Sequence, residues 1–220
     1  MKNARSKRTV LAIGAHTDDI ELGAGATLSR LKREGWYVVA VAASRAETSL
    51  PVGYSPTTLE TEFRESMKII HADHVAVLGY PVRRLNEYRQ AILDDLIAIR
   101  RDHDPELIIT HSSQDTHQDH EVMSSEVVRA FRARSVWGFH SPWNQREISS
   151  NIFVDIEKAD LRAKIEMLSC YRSQAELGRA YVASDYPETA AKFAGYQAQL
   201  TLAESFEAIT LTRRSDAYIW

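Results

Sequence analysis

Short, continuously apolar runs rich in β-branched residues fall at residues 9–15, 37–43, 74–78, 107–110 and 136–139. Segments with apolar residues at helical spacing separate them, at 22–33, 59–71, 88–101 and 120–132. Leu28 and Leu31, and Ile92, Leu93, Leu96 and Ile97, carry that spacing. A strand that is apolar at every position must be covered on both faces, as in a parallel sheet under two layers of helices. Strand then helix, repeated four times with right-handed crossovers, predicts an α/β fold, a Rossmann-like three-layer sandwich with a mostly parallel sheet. Gly35 and Pro105 stand where the first and third helices should stop. After Ser141 the rhythm changes. Strand-like stretches at 152–156 and 206–211 flank a long helical stretch at 161–173, so a small C-terminal extension is expected, either lengthening the sheet or forming a small antiparallel part.

No internal repeat or linker divides the chain, and 220 residues with 44% hydrophobic content suit one domain spanning 1–220. The basic run from Lys2 to Arg8 reads as a flexible tail over residues 1–8. A formal net charge of -3, with no basic stripe, argues against nucleic acid as a partner. The apolar run at 10–15 is too short for a secretion signal and leads straight into His16, and no stretch has the length of a membrane span. The single cysteine, Cys170, allows no internal disulfide, and its neighbours Met167, Leu168 and Tyr171 suggest a core position. These features together lead us to expect a soluble, cytoplasmic protein.

Two clusters of charge interrupt this apolar frame. The first strand runs into His16, Asp18 and Asp19, and the fourth into Asp115, His117, Asp119 and His120. In open parallel sheets ligands bind beyond the carboxyl ends of the strands, so both clusters fall on the functional edge. Imidazoles and carboxylates gathered at one point repel or dehydrate one another unless a cation joins them. Without a thiolate nearby, such a set suits a catalytic zinc with one open position, with ferrous iron as the alternative ion. Alternatively, Asp18 or Asp19 caps the helix that follows and the histidines are simply solvated.

The motifs AHTDD and DTHQDH resemble the AHPDD and D-x-H-x-D-H signatures of the PIG-L or LmbE-like zinc-dependent N-deacetylases, which act mostly on N-acetylglucosamine-type substrates. The stretches PVRRLNEYRQAILDDL, EVVRAFRARS, HSPWN, CYRSQ and AESFEAI resemble one bacterial branch of that family, so the similarity covers nearly the whole chain. The resemblance implies that His16, Asp19 and His120 hold the metal and that Asp18 is the general base. It implies further that His117 assists at the tetrahedral intermediate and the leaving amine, and that Asp119 orients a histidine. Thr17 replaces the usual proline of the first motif, which changes the loop and leaves the ligands intact.

Expected substrate-binding residues are Arg83 and Arg89, which match arginines of that branch, Trp143 and Asn144 as a sugar platform, Asp115, and Tyr181. Tyr171, Gln174, Arg179 and Tyr181 form a segment that could cap the pocket, and His111 either lines it or is structural. Gly23 and Gly25 lack the third glycine of a dinucleotide fingerprint, and no Gly-x-Ser-x-Gly elbow is present. The expected function is a zinc-dependent hydrolase that removes an N-acetyl or other N-acyl group from an amino sugar or its conjugate. An amidase cutting another N-acyl bond is the first alternative, and a non-catalytic metal- or sugar-binding protein the second. Asp18 argues against the latter, since binding alone needs no free base. The expected partner is a small N-acylated molecule, and self-association into a homo-oligomer is compatible with the chain.

Overall fold

The computed structural model describes residues 7–183 and 185–212. Its strands are β1 (Thr9–Gly14), β2 (Tyr37–Ala42), β3 (His74–Val77), β4 (Leu107–His111), β5 (Ser135–Phe139), β6 (Ile152–Asp155) and β7 (Ala203–Thr210). They form one sheet in the order β3-β2-β1-β4-β5-β7-β6. The first five run parallel, while β7 lies antiparallel between β5 and β6. The helices are α1 (Asp19–Arg33), α2 (Thr58–Ile69), α3 (Arg89–His103), α4 (Gln118–Ala130), α5 (Lys158–Ser169), α6 (Arg172–Glu176), α7 (Ala180–Ala183) and α8 (Tyr186–Ala198).

Strand alternation explains why β1 is buried along its whole length. Val10 and Ala12 face a core completed by Leu28 of α1, Phe63 of α2 and Met167 of α5. Leu11 and Ile13 face the opposite core, with Ile92 of α3 and Val127 of α4. The expected three-layer sandwich is thus the fold observed. Its C-terminal extension lengthens the sheet. The helical stretch expected at 161–173 is broken at Cys170 and Tyr171 into α5 and α6, and α8 is an element that the periodicity had not revealed. No helix among the described residues is long and apolar enough to cross a membrane.

Most of the expected basic tail lies outside the described residues. Its last two members are tied down. Lys7 Nζ lies 3.4 Å from Asp73, and Arg8 pairs with Glu106 at 3.2 Å while its guanidinium rests 3.9 Å from the centre of the Trp36 ring.

The topology changes direction between β1 and β4, since successive connections leave this pair on opposite sides. That is where a crevice opens at the carboxyl ends of the strands. Helix α1 is drawn close beneath it because Gly23 faces the ring of Phe139 on β5, where a Cβ would overlap the aromatic carbons. Gly23→Ala should therefore destabilise the protein by about 1–3 kcal/mol through overpacking, read as a lower urea midpoint at an unchanged slope.

Glu21, one turn into α1, is fully buried. It accepts a 2.6 Å hydrogen bond from Ser66 Oγ of α2, and its Oε1 lies 2.6 Å from Tyr171 Oη. Tyr171 Oη also reaches the Thr17 carbonyl. A phenol carries one hydrogen, so both contacts are met when the Glu21 carboxyl holds a second. Burial pushes this carboxyl up to about 8, against the opposing pull of Ser66 and Tyr171. The unfolded chain ionises Glu21 near 4.5 while the fold keeps it neutral to about 8, so this group lowers stability as pH rises through that window and leaves it unchanged below. Glu21→Gln should consequently gain thermal stability over the natural chain at pH 8, with the gain shrinking toward pH 5; a constant difference in melting temperature would contradict the buried neutral carboxyl.

Candidate active site

Two loops build the site, one after β1 and one after β4. Beyond Gly14 the chain turns at once into α1, and Asp19 folds back over the turn; a Cβ on Gly14 would lie 2.8 Å from that of Asp19. Asp18 occupies the N-cap position of α1 but makes no capping bond. Its Oδ2 instead accepts a 2.6 Å bond from Tyr181 Oη. Asp19 Oδ2 accepts from the His16 amide at 2.7 Å. The capping role that a pair of aspartates at a helix start would ordinarily play is therefore absent, and both carboxylates serve the crevice.

In the second loop His117 caps α4, its Nδ1 accepting from the Asp119 amide at 3.2 Å. An acceptor Nδ1 places the proton of the neutral ring on Nε2. Asp115 holds two neighbours at once: Oδ1 accepts from the His117 amide at 3.0 Å and Oδ2 meets His120 Nδ1 at 2.8 Å. Asp119 Oδ2 meets His16 Nε2 at 3.0 Å and accepts from the Arg83 amide at 2.6 Å.

Each of two imidazoles thus has its outer nitrogen fixed by a carboxylate. Their inner nitrogens, His16 Nδ1 and His120 Nε2, then lie 3.2 Å apart. Asp19 completes the triangle, with Oδ2 3.4 Å from His16 Nδ1 and Oδ1 3.5 Å from His120 Nε2. Ligand atoms around a tetrahedral zinc at about 2.0–2.1 Å are separated by about 3.3 Å. The spacing, the mixed imidazole and carboxylate donors, and the carboxylates behind both rings fit a divalent ion. His117 extends the first group, clustering with His16 and His120. A second group of candidate ligands joins Asp19 and His120 to His111. His111 is wholly buried, stacks on His120 with ring centres 3.8 Å apart, and its Nε2 accepts from the Ala15 amide at 2.9 Å. That bond occupies the nitrogen nearest Asp19, and Nδ1 has no partner, so a supporting role suits His111 better than ligation.

The electrostatics point the same way. Burial disfavours charge on His16, yet Asp19, Asp119 and Asp18 outweigh it and push the ring up to about 10. Burial and His111 lower His120 to about 4. The pair therefore calls for one positive charge between the two inner nitrogens, which a proton or a metal ion can supply. Burial and the adjacent Asp19 raise the Asp18 carboxyl. For Asp19, burial is overcome by His120, His111 and His16, which hold it well below the usual carboxylate range. Two adjacent aspartates are so driven apart, one toward proton uptake and one toward permanent charge. Burial and His16 keep His117 below the ordinary histidine value.

His16, Asp18, Asp19, His117 and His120 line one cleft of about 280 Å³ together with Arg83, Trp143, Asn144, Gln174, Arg179 and Tyr181. Arg83 is held in the left-handed region at φ 64°, a conformation uncommon outside glycine, by its amide bond to Asp119. Trp143 stacks on Tyr181 with ring centres 5.4 Å apart. Two residues expected to contact substrate stand elsewhere. Arg89 turns to the buried Glu126, pairing at 2.6 Å, because that carboxylate has no water to solvate it. Asp115 is buried behind His120 instead of lining the cleft. Tyr171 likewise lies beneath the site, fully buried, and not over it. The apolar wall of Leu22, Leu59 and Val82 carried no signal in the sequence to separate it from ordinary core.

A profile of the PIG-L family, described as GlcNAc-PI de-N-acetylase, matches residues 11–131, the stretch that contains both loops. An uncharacterized deacetylase of Escherichia coli (strain K12), YaiS, is 29% identical over 184 residues, covering 79% of this chain and 95% of its own. Among solved structures, the N,N'-diacetylchitobiose deacetylase of Pyrococcus horikoshii superposes with a TM-score of 0.75 at 18% identity, over 96% of this chain and 89% of that one. GalB, the 4-carboxy-2-hydroxymuconate hydratase of Pseudomonas putida KT2440, superposes with a TM-score of 0.76 at 20% identity, over 96% and 99%. At those identities the two structures establish a shared fold, and that fold carries more than one chemistry. The family match runs through both charged loops and across more than half of the chain, and this protein belongs to the PIG-L family.

Proposed function

We propose that the protein is a metal-dependent N-deacetylase that removes an acetyl group from the nitrogen of an amino sugar or amino-sugar conjugate. The observation that carries this reading is the triangle of His16 Nδ1, His120 Nε2 and the Asp19 carboxylate, with the uncapped Asp18 beside it. Deacetylase relatives in the same family support the reaction class. Zinc suits the donor set, and ferrous iron is compatible with it. Bound by His16, Asp19 and His120, such an ion would supply Lewis acidity toward the amide carbonyl and ease deprotonation of water.

Asp18 is the proton acceptor for the attacking water. Its Oδ2 is held by Tyr181, which fixes the carboxylate, and its raised proton affinity suits a base that must take a proton near neutral pH and give it back. His117, whose Nε2 carries the proton, lines the same cleft and would donate to the oxygen that becomes negative during attack on the amide. The amine leaves only once protonated, and the proton held on Asp18 is available for it. Asp119 and Asp115 fix the tautomers of His16 and His120 so that both inner nitrogens remain donors toward the ion. Arg83 and Arg179 line the cleft with no carboxylate partner among the described residues, which favours substrates bearing a polar or anionic group. The same groups would serve another N-acyl amide. Release of acetate from a panel of N-acetylated sugars, free and conjugated, compared with non-sugar N-acyl amides, separates the two substrate classes.

Asp18→Asn should retain bound metal and lose about 10²–10⁴-fold in turnover; activity equal to that of the natural chain would remove Asp18 from the mechanism. His120→Ala should lose both metal, read by elemental analysis of the purified protein, and activity, and full metal occupancy in that variant would refute the ligand assignment.

A further inference from the structure

A second cavity, about 320 Å³, adjoins the cleft. It lies between α8, the start of β7 and the loop that precedes β6, over Leu22 and Gly23 of α1, and its walls contrast with those of the cleft. The cleft is lined by imidazoles, carboxylates and arginines, whereas Pro142, Ile148, Ala190, Phe193 and Ala194 dominate the cavity. The two spaces share a wall, for Leu22 lines both. Ser141 lines the cleft and the next residue, Pro142, the cavity. Trp143 of the cleft meets Tyr186 of the cavity edge to face, ring centres 5.5 Å apart. At the mouth, Ile148 and Phe193 are 51% and 62% exposed, so their apolar surface stays in contact with water until something covers it. Several of its polar groups are already engaged. Lys164 pairs with Glu204 at 2.6 Å, and Ser150 bonds His140 and Ser205. A space of this size, mostly apolar with a few fixed polar groups, has the character of a ligand pocket.

Resting on the deacetylase reading, we infer that this cavity is a subsite for an apolar arm of the substrate, so that the natural substrate is an N-acylated amine carrying an alkyl or aryl group several carbons long. Leu22 and the Trp143–Tyr186 contact stand between the two spaces, so a molecule whose amide lies at His16, Asp19 and His120 would place its arm in the cavity by reaching across this wall. The arm can be attached on the acyl side or on the amine side; both present the same hydrocarbon to the same walls.

Each methylene fully buried there strengthens binding about fourfold, so a six-carbon arm that is only partly enclosed gains at least about tenfold. The test compares kcat/KM for hexyl and methyl glycosides of N-acetylglucosamine, and for N-hexanoyl- and N-acetylglucosamine, which separates an amine-side arm from an acyl-side arm. At least one long member should exceed its short partner about tenfold, mainly through KM. Ala190→Trp, which fills the cavity, and Phe193→Ser, at its exposed mouth, should both bring that ratio toward one; the second variant guards against misfolding of the first. Calorimetric binding of hexyl glucoside, which has no amide, should follow the same order among the three proteins. Because it needs no turnover, it survives a failure of the deacetylase assignment. Equal treatment of long and short substrates, or ratios untouched by both variants, overturns the subsite. So does hexyl glucoside binding that is absent from the natural chain, or a drop in oligomer mass in Phe193→Ser with unchanged selectivity, which would mark the surface as a contact between copies.

Discussion

One positive charge between His16 and His120 is the condition on which the rest of the site depends. Their outer nitrogens are committed to Asp119 and Asp115, and Asp19 adds a further anionic oxygen within 3.5 Å. Without a cation the inner nitrogens and that carboxylate would confront one another at hydrogen-bond distance in a buried setting, at a cost that grows as the local dielectric falls. A metal-free chain can meet the demand with a proton on His16. An ion meets it with three donors at once. The fold supplies this arrangement through the direction change between β1 and β4, which brings the ends of two strands distant in sequence side by side.

Much of this was legible in the sequence, for identifiable reasons. Strands apolar at every position allow little besides a sheet covered on both faces, so the layers followed from β1, β2, β4 and β5. The two charged loops stood out because each interrupted such a run at the same edge. The remainder depended on tertiary contacts. Helix α8 buries only small residues, Pro187, Ala191, Ala194 and Gly195, while its large apolar side chains Phe193 and Tyr196 are exposed, and the break between α5 and α6 is set by Tyr171 reaching down to Glu21 and Thr17. Neither is a local property of the residues concerned.

The placement of side chains within the motifs shows the same division. Type and spacing were enough to gather the histidines and aspartates, but not to say which group stood behind which. Asp115 reads as a cleft residue in one dimension and supports His120 in three. Arg89, taken by resemblance as a substrate contact, is claimed by Glu126, a buried carboxylate on a neighbouring helix whose need for a cation no linear pattern announces. Tyr181 lies more than 160 residues from Asp18 in sequence and yet holds its oxygen.

The two outermost strands, β3 and β6, are the shortest in the sheet, at four residues each. A strand that ends a sheet leaves a row of amides and carbonyls open to pairing with a passing chain. Here that row is cut to a few groups on either side, while the long strand β7 is kept inside. The molecule thus offers little template for sheet growth from one copy to the next.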